Sequence, residues 1–301
     1  MRRVLGALLL LAAALCAGRA SADCGVVLEP VATGIWRVPA ARGRPDAANG
    51  GLTIQLVLVR EGRRLWLVGS GPTPAFGRAL ACAARQAAGG PVTDLVNTHV
   101  APELSLGNSA FPRARLWALP EVIAAMHERC GACLASLRDQ VGRAGASLDE
   151  RDAIQLPRRA VRGPRLGPFE VLALARQPGE PTLVLRHRGI VIAQGLLWAG
   201  DVPDLYGTNS ASLLDSLERL DRFAAGARLL GQQGELADAG AIDAQRRYLL
   251  ALRGAIHARL AAGEVQGEVP LPGYAGMPGY AQLHPLNVQR VWRELESELF
   301  R

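Results

Sequence analysis

Lysine is absent from this sequence: all 34 basic residues among the 301 are arginines. Aromatic residues are scarce at 5%, and histidine occurs only five times. Charged residues make up 20% of the chain and apolar residues 49%, a balance that excludes an intrinsically disordered protein and allows a sizeable core. The basic excess of +7 is small and dispersed, so the composition does not indicate a nucleic-acid-binding protein.

Long apolar runs are also lacking after the first residues of the chain. Arg2 and Arg3 precede an apolar stretch at 4–17 that is too short to span a bilayer comfortably, and Ala20-Ser21-Ala22 follows as an A-x-A cleavage site. We therefore expect a signal peptide at 1–22, a mature domain at 23–301 and a periplasmic or secreted protein without a membrane span after cleavage. Cleavage removes three arginines and no acid, which lowers the net charge from +7 to +4.

Four cysteines remain after cleavage: Cys24, Cys82, Cys130 and Cys133. An even number in an oxidising compartment indicates disulfides. We expect Cys130 to bond to Cys133 across a small loop, and Cys24 to meet Cys82. A redox-active Cys-x-x-Cys is the alternative, but that motif normally opens a helix after a strand, whereas this one follows a helical run. A zinc ribbon would need a second cysteine pair, which the sequence does not have.

Hydrophobic periodicity predicts alternating strands and helices along the mature chain. A buried hairpin is expected from strands at 52–60 and 64–68, and the order suits a sheet-on-sheet core with helices outside. The other predicted strands are at 34–38, 94–98, 169–175, 182–186, 189–199 and 228–230, and the predicted helices are at 75–88, 120–130, 134–142, 212–223, 242–262 and 287–300.

Five short motifs follow one another in the order known from one enzyme superfamily. Asn97-Thr98-His99 with Gly107-Asn108 resembles the metallo-β-lactamase signature N-T-H-x-H-x-D-H-x-x-G-N. The other four resemble its I-D-T-G, H-T-P-G-D, G-D and G-H-G motifs, and they are Val68–Gly71, Arg176–Glu180, Gly200-Asp201 and Gly231–Gly234. The resemblance implies a four-layer αββα sandwich, with His99 and Asp201 at the same edge of the core.

The C-terminal part resembles an exported branch of that superfamily, the quinoprotein relay system zinc metallohydrolases. This likeness rests on Arg246-Arg247-Tyr248-Leu249, on Leu252-Arg253 and on the final segment NVQRVWRELESELF. It implies an association with a periplasmic quinoprotein dehydrogenase.

The resemblance also implies seven metal-ligand positions, and few of them hold a ligand here. His99 and Asp201 are identical to the family residues, and Glu103 replaces an aspartate. The four remaining positions carry histidine in the family, whereas this chain has Ala101, Leu104, Arg176 and Gln232. Catalytic zinc usually has three protein ligands and a water, and a fixed guanidinium opposes binding of a cation. We therefore expect no metal cofactor, with His99, Glu103 and Asp201 as a vestigial set.

Three functional hypotheses follow. The first is a non-catalytic binding or accessory protein, in which Arg176 and Gln232 line a pocket for an anion such as the polycarboxylate cofactor of the dehydrogenase. The second is a working hydrolase whose zinc or harder cation is held by His99, Glu103, Asp201 and Gln232. The third is a thiol-redox partner acting through Cys130 and Cys133.

The site residues also have purely structural interpretations. His99 is expected to be a buried histidine with a backbone partner. Asp201 is expected to form an ion pair with Arg176, because a buried carboxylate needs a partner. The histidines outside every motif are expected at the surface; these are His127, His187, His257 and His284.

Overall fold

The structure, a computed structural model, describes residues 24–150 and 154–299. The predicted signal peptide at 1–22 lies outside the described residues. Within the described ranges no helix combines the length and apolarity that crossing a membrane requires. The helices are α1 (Pro74–Ala88), α2 (Pro102–Ser105), α3 (Pro120–Val141), α4 (Ser210–Phe223), α5 (Gly240–Ala261) and α6 (Tyr280–Leu299).

Fourteen strands, numbered in chain order, form three sheets in the described residues. The first sheet has the order β1 (Glu29–Ala32), β2 (Ile35–Val38), β3 (Leu56–Glu61), β4 (Arg64–Val68), β5 (Asp94–Val96), β6 (Arg115–Ala118) and β7 (Arg159–Ala160). The second has the order β13 (Arg228–Leu230), β11 (Ile190–Ile192), β10 (Glu180–His187), β9 (Phe169–Gln177) and β8 (Arg165–Leu166). The third pairs β12 (Trp198–Ala199) with β14 (Gln233–Gly234).

The predicted hairpin is confirmed: β3 and β4 pair antiparallel, with Val57 opposite Val68 and Glu61 opposite Arg64. From β4 to β7 the strands run parallel. The carboxyl ends of parallel strands meet at one edge of a sheet, so the segments after β4 and β5 emerge together. The first carries Ser70 and the second carries His99.

Side-chain alternation divides the first sheet between two cores, because neighbouring residues of a strand point to opposite faces. Val57 and Val59 of β3 belong to the core between the two large sheets, where residues of the second sheet such as Phe169 and Leu183 meet them. Leu56 and Leu58 lie on the other face, against helix α1. The second sheet alternates in the same way and buries its outer face under α4, α5 and α6. The predicted αββα layer order is therefore observed.

The cysteines are arranged partly as predicted. Cys24 and Cys82 form a disulfide across 58 residues of sequence, as expected. Cys130 and Cys133 are free thiols, so the expected bridge between them is wrong in this structure. The reason is local: one continuous helix, α3, replaces the two helices predicted at 120–130 and 134–142, so no loop separates the two cysteines. Cys130 instead packs into the core between the sheets.

Candidate functional site

The segment that follows β5 is held in place by buried side-chain amides. The side chain of Asn97 accepts a hydrogen bond from Asn108 Nδ2 at 2.8 Å, and Asn108 Oδ1 accepts one from Ser70 Oγ at 2.8 Å. Asn108 Nδ2 also donates to the Gln155 carbonyl at 2.8 Å. These bonds join the ends of two neighbouring parallel strands, and so the Asn97 and Asn108 positions of the motif serve the structure of the loop.

A chain of hydrogen bonds fixes the tautomer of His99. Gln194 Nε2 donates to the carbonyl oxygens of Gln55 at 2.5 Å and Val68 at 3.4 Å, which makes Gln194 Oε1 an acceptor. The Thr98 hydroxyl donates to that oxygen at 2.9 Å. Because its only proton is used in that bond, the Thr98 hydroxyl accepts a hydrogen bond from His99 Nδ1 at 3.0 Å. The proton of neutral His99 is therefore on Nδ1, and Nε2 carries a lone pair.

That lone pair has no partner among the described residues. His99 is 3% exposed, and its Nε2 is buried without a hydrogen bond. Burial, reinforced by the charge of Arg176, holds the pKa of His99 well below its usual value. The ring lies against Gly195, where an added Cβ would fall 3.0 Å from His99 Cε1 and the backbone has a φ of +76°. His99 is thus a neutral imidazole with one unused acceptor.

The cavity beside His99 is small. Its volume is about 10 Å³, which is roughly the space that one water molecule needs. Arg176, Glu121 and Glu180 contribute polar groups to its wall, and the apolar part includes Val122 of α3. Binding pockets for small molecules usually measure about 300–1,000 Å³, so this cavity does not enclose a substrate.

The loop positions after His99 are used for packing. Leu104 is fully buried, and an added Cβ on Gly69 would lie 2.4 Å from its Cδ1 atom. Leu104 therefore fills the space that the turn at Gly69 leaves open. Ala101 is 8% exposed and offers no lone pair. Glu103 is half-buried at the start of α2, where burial raises the pKa of its carboxyl and its own backbone amide opposes that rise.

Arg176 lies at the end of β9 beside the His99 cavity. One guanidinium nitrogen donates to the Gly207 carbonyl at 3.4 Å. Within the described residues, Arg176 has no ion-pair partner, although Glu180, Asp204 and Glu103 act on it electrostatically. Partial burial lowers the pKa of Arg176 from its usual value, yet an arginine keeps its proton at neutral pH. A fixed positive charge consequently lies next to the free nitrogen of His99.

Asp201 is paired with a different arginine from the one predicted. Arg42 Nε lies 3.1 Å from Asp201 Oδ1 and donates to Oδ2 at 3.2 Å, so the expected pair with Arg176 is wrong. The reason is that the polar loop before β3 reaches across the mouth of the site, which sequence spacing does not reveal. Burial raises the pKa of Asp201, and the Arg42 charge offsets part of that rise.

Gln232 is used by the backbone around it. Its side-chain oxygen accepts from the Gly195 backbone amide at 2.7 Å, and the backbone amide of Gln232 donates to the Leu197 carbonyl at 2.6 Å. Its carbonyl accepts from the Gln55 amide at 2.9 Å. The side chain is therefore directed at the backbone beside His99, and it does not line the cavity with Arg176 as the sequence suggested.

These residues do not fit a zinc ion. Across 24–150 and 154–299, no group of three or more His, Cys, Asp and Glu side chains is placed to hold a metal. Asp201 is neutralised by Arg42, Gln232 is committed to the Gly195 amide, and Leu104 occupies buried space. Of the family's ligand positions, His99 Nε2 and Asp201 Oδ1 are buried without a hydrogen bond, and the Arg42 charge lies 3.1 Å from the second, whereas a catalytic zinc needs about three protein ligands.

The two free thiols do not have the environment of redox cysteines. Burial raises the pKa of Cys130 to about 11, and the neighbouring Cys133 adds to the effect. Burial also raises the pKa of Cys133, as does the carboxylate of Glu103. Reactive cysteines have lowered pKa values, because the thiolate is the nucleophile. The raised pKa values of the two thiols therefore give the thiol-redox hypothesis no support.

Two histidines outside the motifs are not at the surface, contrary to expectation. The His187 side chain is 9% exposed, and its Nε2 is buried. His284 of α6 is 4% exposed, and both of its ring nitrogens have partners. Nε2 donates to the Val269 carbonyl at 2.7 Å, and Nδ1 accepts from the Tyr248 hydroxyl at 3.0 Å. Burial raises the pKa of Tyr248, so its hydroxyl stays protonated and donates. The ring also stacks on Tyr280 with centroids 4.3 Å apart.

Sequence reasoning missed Gln194, which determines the His99 tautomer. Gln194 is fully buried and follows the apolar strand β11. A lone amide in an apolar run was a usable signal, because buried polar groups are nearly always hydrogen-bonded. Its partners are Gln55, which directly precedes β3, and Val68 of β4, so only the fold identifies them.

This architecture is similar to that of several solved metallo-β-lactamase structures. No protein-family model matches the sequence, and no curated protein matches it. The metallo-β-lactamase FIM-1 from Pseudomonas aeruginosa, in its mono-zinc form, superposes with a TM-score of 0.59 and 12% identity over 74% of this chain and 94% of that one. A metallo-β-lactamase from Pontibacter korlensis gives 0.58 and 12% over 74% and 98%, and one from Erythrobacter litoralis gives 0.53 and 17% over 74% and 96%.

The TM-scores establish the fold, whereas identities of 12–17% leave the reaction open. The chain therefore has the metallo-β-lactamase fold.

Proposed function

We propose that this is an exported, non-catalytic protein of metallo-β-lactamase fold that acts as a binding or accessory partner of a periplasmic quinoprotein dehydrogenase. One observation carries the non-catalytic part. His99 Nε2 is buried without a hydrogen bond, but Asp201 is ion-paired with Arg42, Gln232 is bonded to the backbone and Leu104 is packed in the core. Such a set lacks the converging ligands that lower the pKa of a metal-bound water to about 7.

The small cavity supports a role in surface binding. A volume of about 10 Å³ leaves no room for a substrate beside His99. The Arg176 guanidinium has no ion-pair partner among the described residues and is partly accessible. An arginine in this state recognises a carboxylate by two parallel hydrogen bonds. A carboxylate of the quinone cofactor, or an acidic side chain of the dehydrogenase, has the matching charge and geometry.

Export and the link to the dehydrogenase rest on sequence. The A-x-A pattern at 20–22 supports export, and the Cys24–Cys82 disulfide is consistent with an oxidising compartment. The resemblance of 246–253 and of the final helix to the quinoprotein relay branch supports the partner.

The experiment for the non-catalytic part compares the mature protein with a variant that restores four histidines: Ala101→His, Leu104→His, Arg176→His and Gln232→His. Both are titrated with zinc by calorimetry and assayed against an ester, a lactam and a thioester. We expect no stoichiometric zinc binding and no zinc-dependent turnover for the unmodified protein, and recovered zinc binding for the variant if it folds. Zinc-dependent turnover that the unmodified protein shows and His99→Ala lacks would overturn the proposal.

The experiment for the partner uses pyrroloquinoline quinone as the probe. Its binding is measured for the mature protein, for Arg176→Gln and for Arg85→Gln, a control at an exposed arginine without an ion-pair partner in the described residues. We expect weakening of about tenfold for Arg176→Gln alone, the value of one charged hydrogen-bonded contact. Equal affinity of the three proteins would remove Arg176 from the account.

A working hydrolase remains the second candidate because of one specific observation. His99 presents a buried, unprotonated Nε2 without a partner, and Glu103 is close enough to Arg176 for their charges to interact. In that case His99, Glu103, Asp201 and Gln232 hold one metal ion, and binding has to break the Arg42–Asp201 pair. The substitution Arg42→Gln removes that pair in advance. A higher zinc affinity for this variant than for the unmodified protein would favour the candidate.

A further inference from the structure

A buried carboxylate organises the opposite end of the first sheet from His99. Asp94 begins β5, whereas His99 follows its end. Asp94 is fully buried and accepts from Arg64 at 2.8 and 3.1 Å, from Arg115 at 2.9 Å and from the Trp117 indole at 2.9 Å. These partners belong to the neighbouring strands β4 and β6, so one carboxylate holds two guanidinium groups at the sheet edge.

Two tryptophan rings position the same group of arginines. The Arg64 guanidinium carbon lies 4.5 Å from the centroid of the Trp66 ring. Arg159 of the edge strand β7 lies beside Trp117 in register, with its guanidinium carbon 5.5 Å from the centroid of that ring. Cation–π contacts of this kind orient a guanidinium and reduce the entropy that it loses on binding.

More arginines flank this group at the strand starts. Arg113 precedes β6 and Arg158 precedes β7; both are exposed, and neither has an ion-pair partner in the described part of the chain. We call the whole set the strand-start patch: Arg64, Arg113, Arg115, Arg158 and Arg159. Asp94 is the only acidic residue in 63–66, 93–94, 113–117 and 158–160, and Glu61, which lies opposite Arg64 in the hairpin, is ion-paired with Arg188. The patch therefore has a local excess of positive charge in a chain whose overall excess is small.

We propose that the strand-start patch is a docking surface for an acidic surface of a folded protein partner. Arginine and tryptophan are the residues that most often dominate binding energy at protein interfaces. Here Trp117 is half-exposed, and Asp94 and the indole rings hold Arg64, Arg115 and Arg159 in fixed positions before any partner arrives. Fixed guanidinium forks match carboxylates at fixed positions, which is what the acidic face of a folded protein offers.

The same geometry disfavours the other anionic partners. A membrane surface is bound by mobile basic side chains together with exposed apolar anchors, whereas Arg64 and Arg115 are held by the Asp94 carboxylate. Single-stranded nucleic acid stacks its bases on open aromatic rings. Arg159 lies over Trp117, and the Trp117 indole nitrogen is already bonded to Asp94.

The test compares two variants of equal net charge. The patch variant carries Arg113→Glu, Arg158→Glu and Arg159→Glu. The matched control carries Arg85→Glu, Arg143→Glu and Arg228→Glu, three exposed arginines that are likewise without an ion pair among the described residues. Each is measured beside the unmodified protein against an immobilised poly-glutamate peptide and against phosphatidylglycerol-containing vesicles, at low and at physiological salt, after thermal melting confirms the fold.

We expect the patch variant to bind poly-glutamate at least tenfold more weakly than the unmodified protein, and the control to differ from it less than threefold. Equal weakening of the two variants would overturn the proposal, because net charge alone would then explain binding. Patch-dependent binding to vesicles without binding to poly-glutamate would also overturn it, in favour of a membrane-facing surface. Failure of the unmodified protein to bind poly-glutamate at low salt would do the same.

Discussion

His99 and His284 are both buried, at 3% and 4% exposure, but they differ in how their ring nitrogens are used. His284 lies among the C-terminal helices with Nε2 bonded to Val269 and Nδ1 bonded to Tyr248. His99 lies at the end of β5 with Nδ1 bonded to Thr98 and Nε2 without a partner in the described structure. The burial is the same, but only one imidazole is fully satisfied.

This difference separates a histidine with a structural role from one with an unused acceptor. Buried polar atoms are nearly always hydrogen-bonded, and an exception needs a reason. At His284 the network extends through Tyr248 to Asn287, whose Nδ2 donates to the Tyr248 oxygen at 3.2 Å. At His99 the network fixes the tautomer and then stops at the cavity, with Nε2 left without a hydrogen bond.

The largest expected effect is at His284. Its replacement by alanine removes the partner of the Val269 carbonyl and of the Tyr248 hydroxyl and leaves a cavity. We expect His284→Ala to lower the free energy of unfolding by about 3 kcal/mol, measured by urea denaturation. His257→Ala, at an exposed position on α5, is the control and should change it by less than about 0.5 kcal/mol. Equal effects of the two substitutions would contradict a structural role for His284.

Acidification should weaken the fold through both histidines. Burial lowers the pKa of His99 and of His284 from 6.5, so the unfolded chain takes up more protons than the folded one as the pH falls below 6.5. The stability present above that pH is therefore lost on acidification, by at most about 1.4 kcal/mol per pH unit for each histidine. Urea midpoints between pH 7.5 and pH 5 measure the loss. A flat profile for the unmodified protein would contradict the burial of both rings as neutral groups.

The smallest expected effect is at His99. The substitution His99→Leu removes one hydrogen bond to Thr98, and it also removes the buried nitrogen that has no partner. The two changes act in opposite directions, so we expect a loss of about 1 kcal/mol or less in the free energy of unfolding, again by urea denaturation. The variant should also lose part of the pH dependence described above. A loss as large as that of His284→Ala would mean that His99 has a structural partner which the geometry does not show.

The sequence predicted the architecture better than the site. Alternation along β3 and β4 and the helical spacing of Leu213, Leu217 and Leu220 follow from period alone, so the hairpin and helix α4 were correctly placed. The break expected between Cys130 and Cys133 was wrong because glycine and cysteine can continue a helix that packs on the core. Apolar packing thus overrode a local preference.

Site contacts depend on segments far apart in the chain, which is why the sequence predicted them poorly. The pairing of Asp201 with Arg42 joins residues separated by 159 positions, and Gln194 reaches Gln55 across 139. Neither contact produces a periodic pattern in the sequence. Ala101 and Leu104, by contrast, could be excluded as metal ligands from the sequence, because a hydrocarbon side chain has no lone pair to donate in any fold.

The central claim is that a ligand-poor site on this fold does not hold a metal. The most direct measurement is the zinc content of the mature protein isolated from the periplasm, determined by plasma mass spectrometry after dialysis against a weak chelator. The account predicts far less than one zinc per chain, since Arg42 is paired with Asp201 and no group of three or more His, Cys, Asp and Glu side chains in the described residues is placed to hold a metal. One zinc per chain that survives dialysis and disappears in His99→Leu would contradict it.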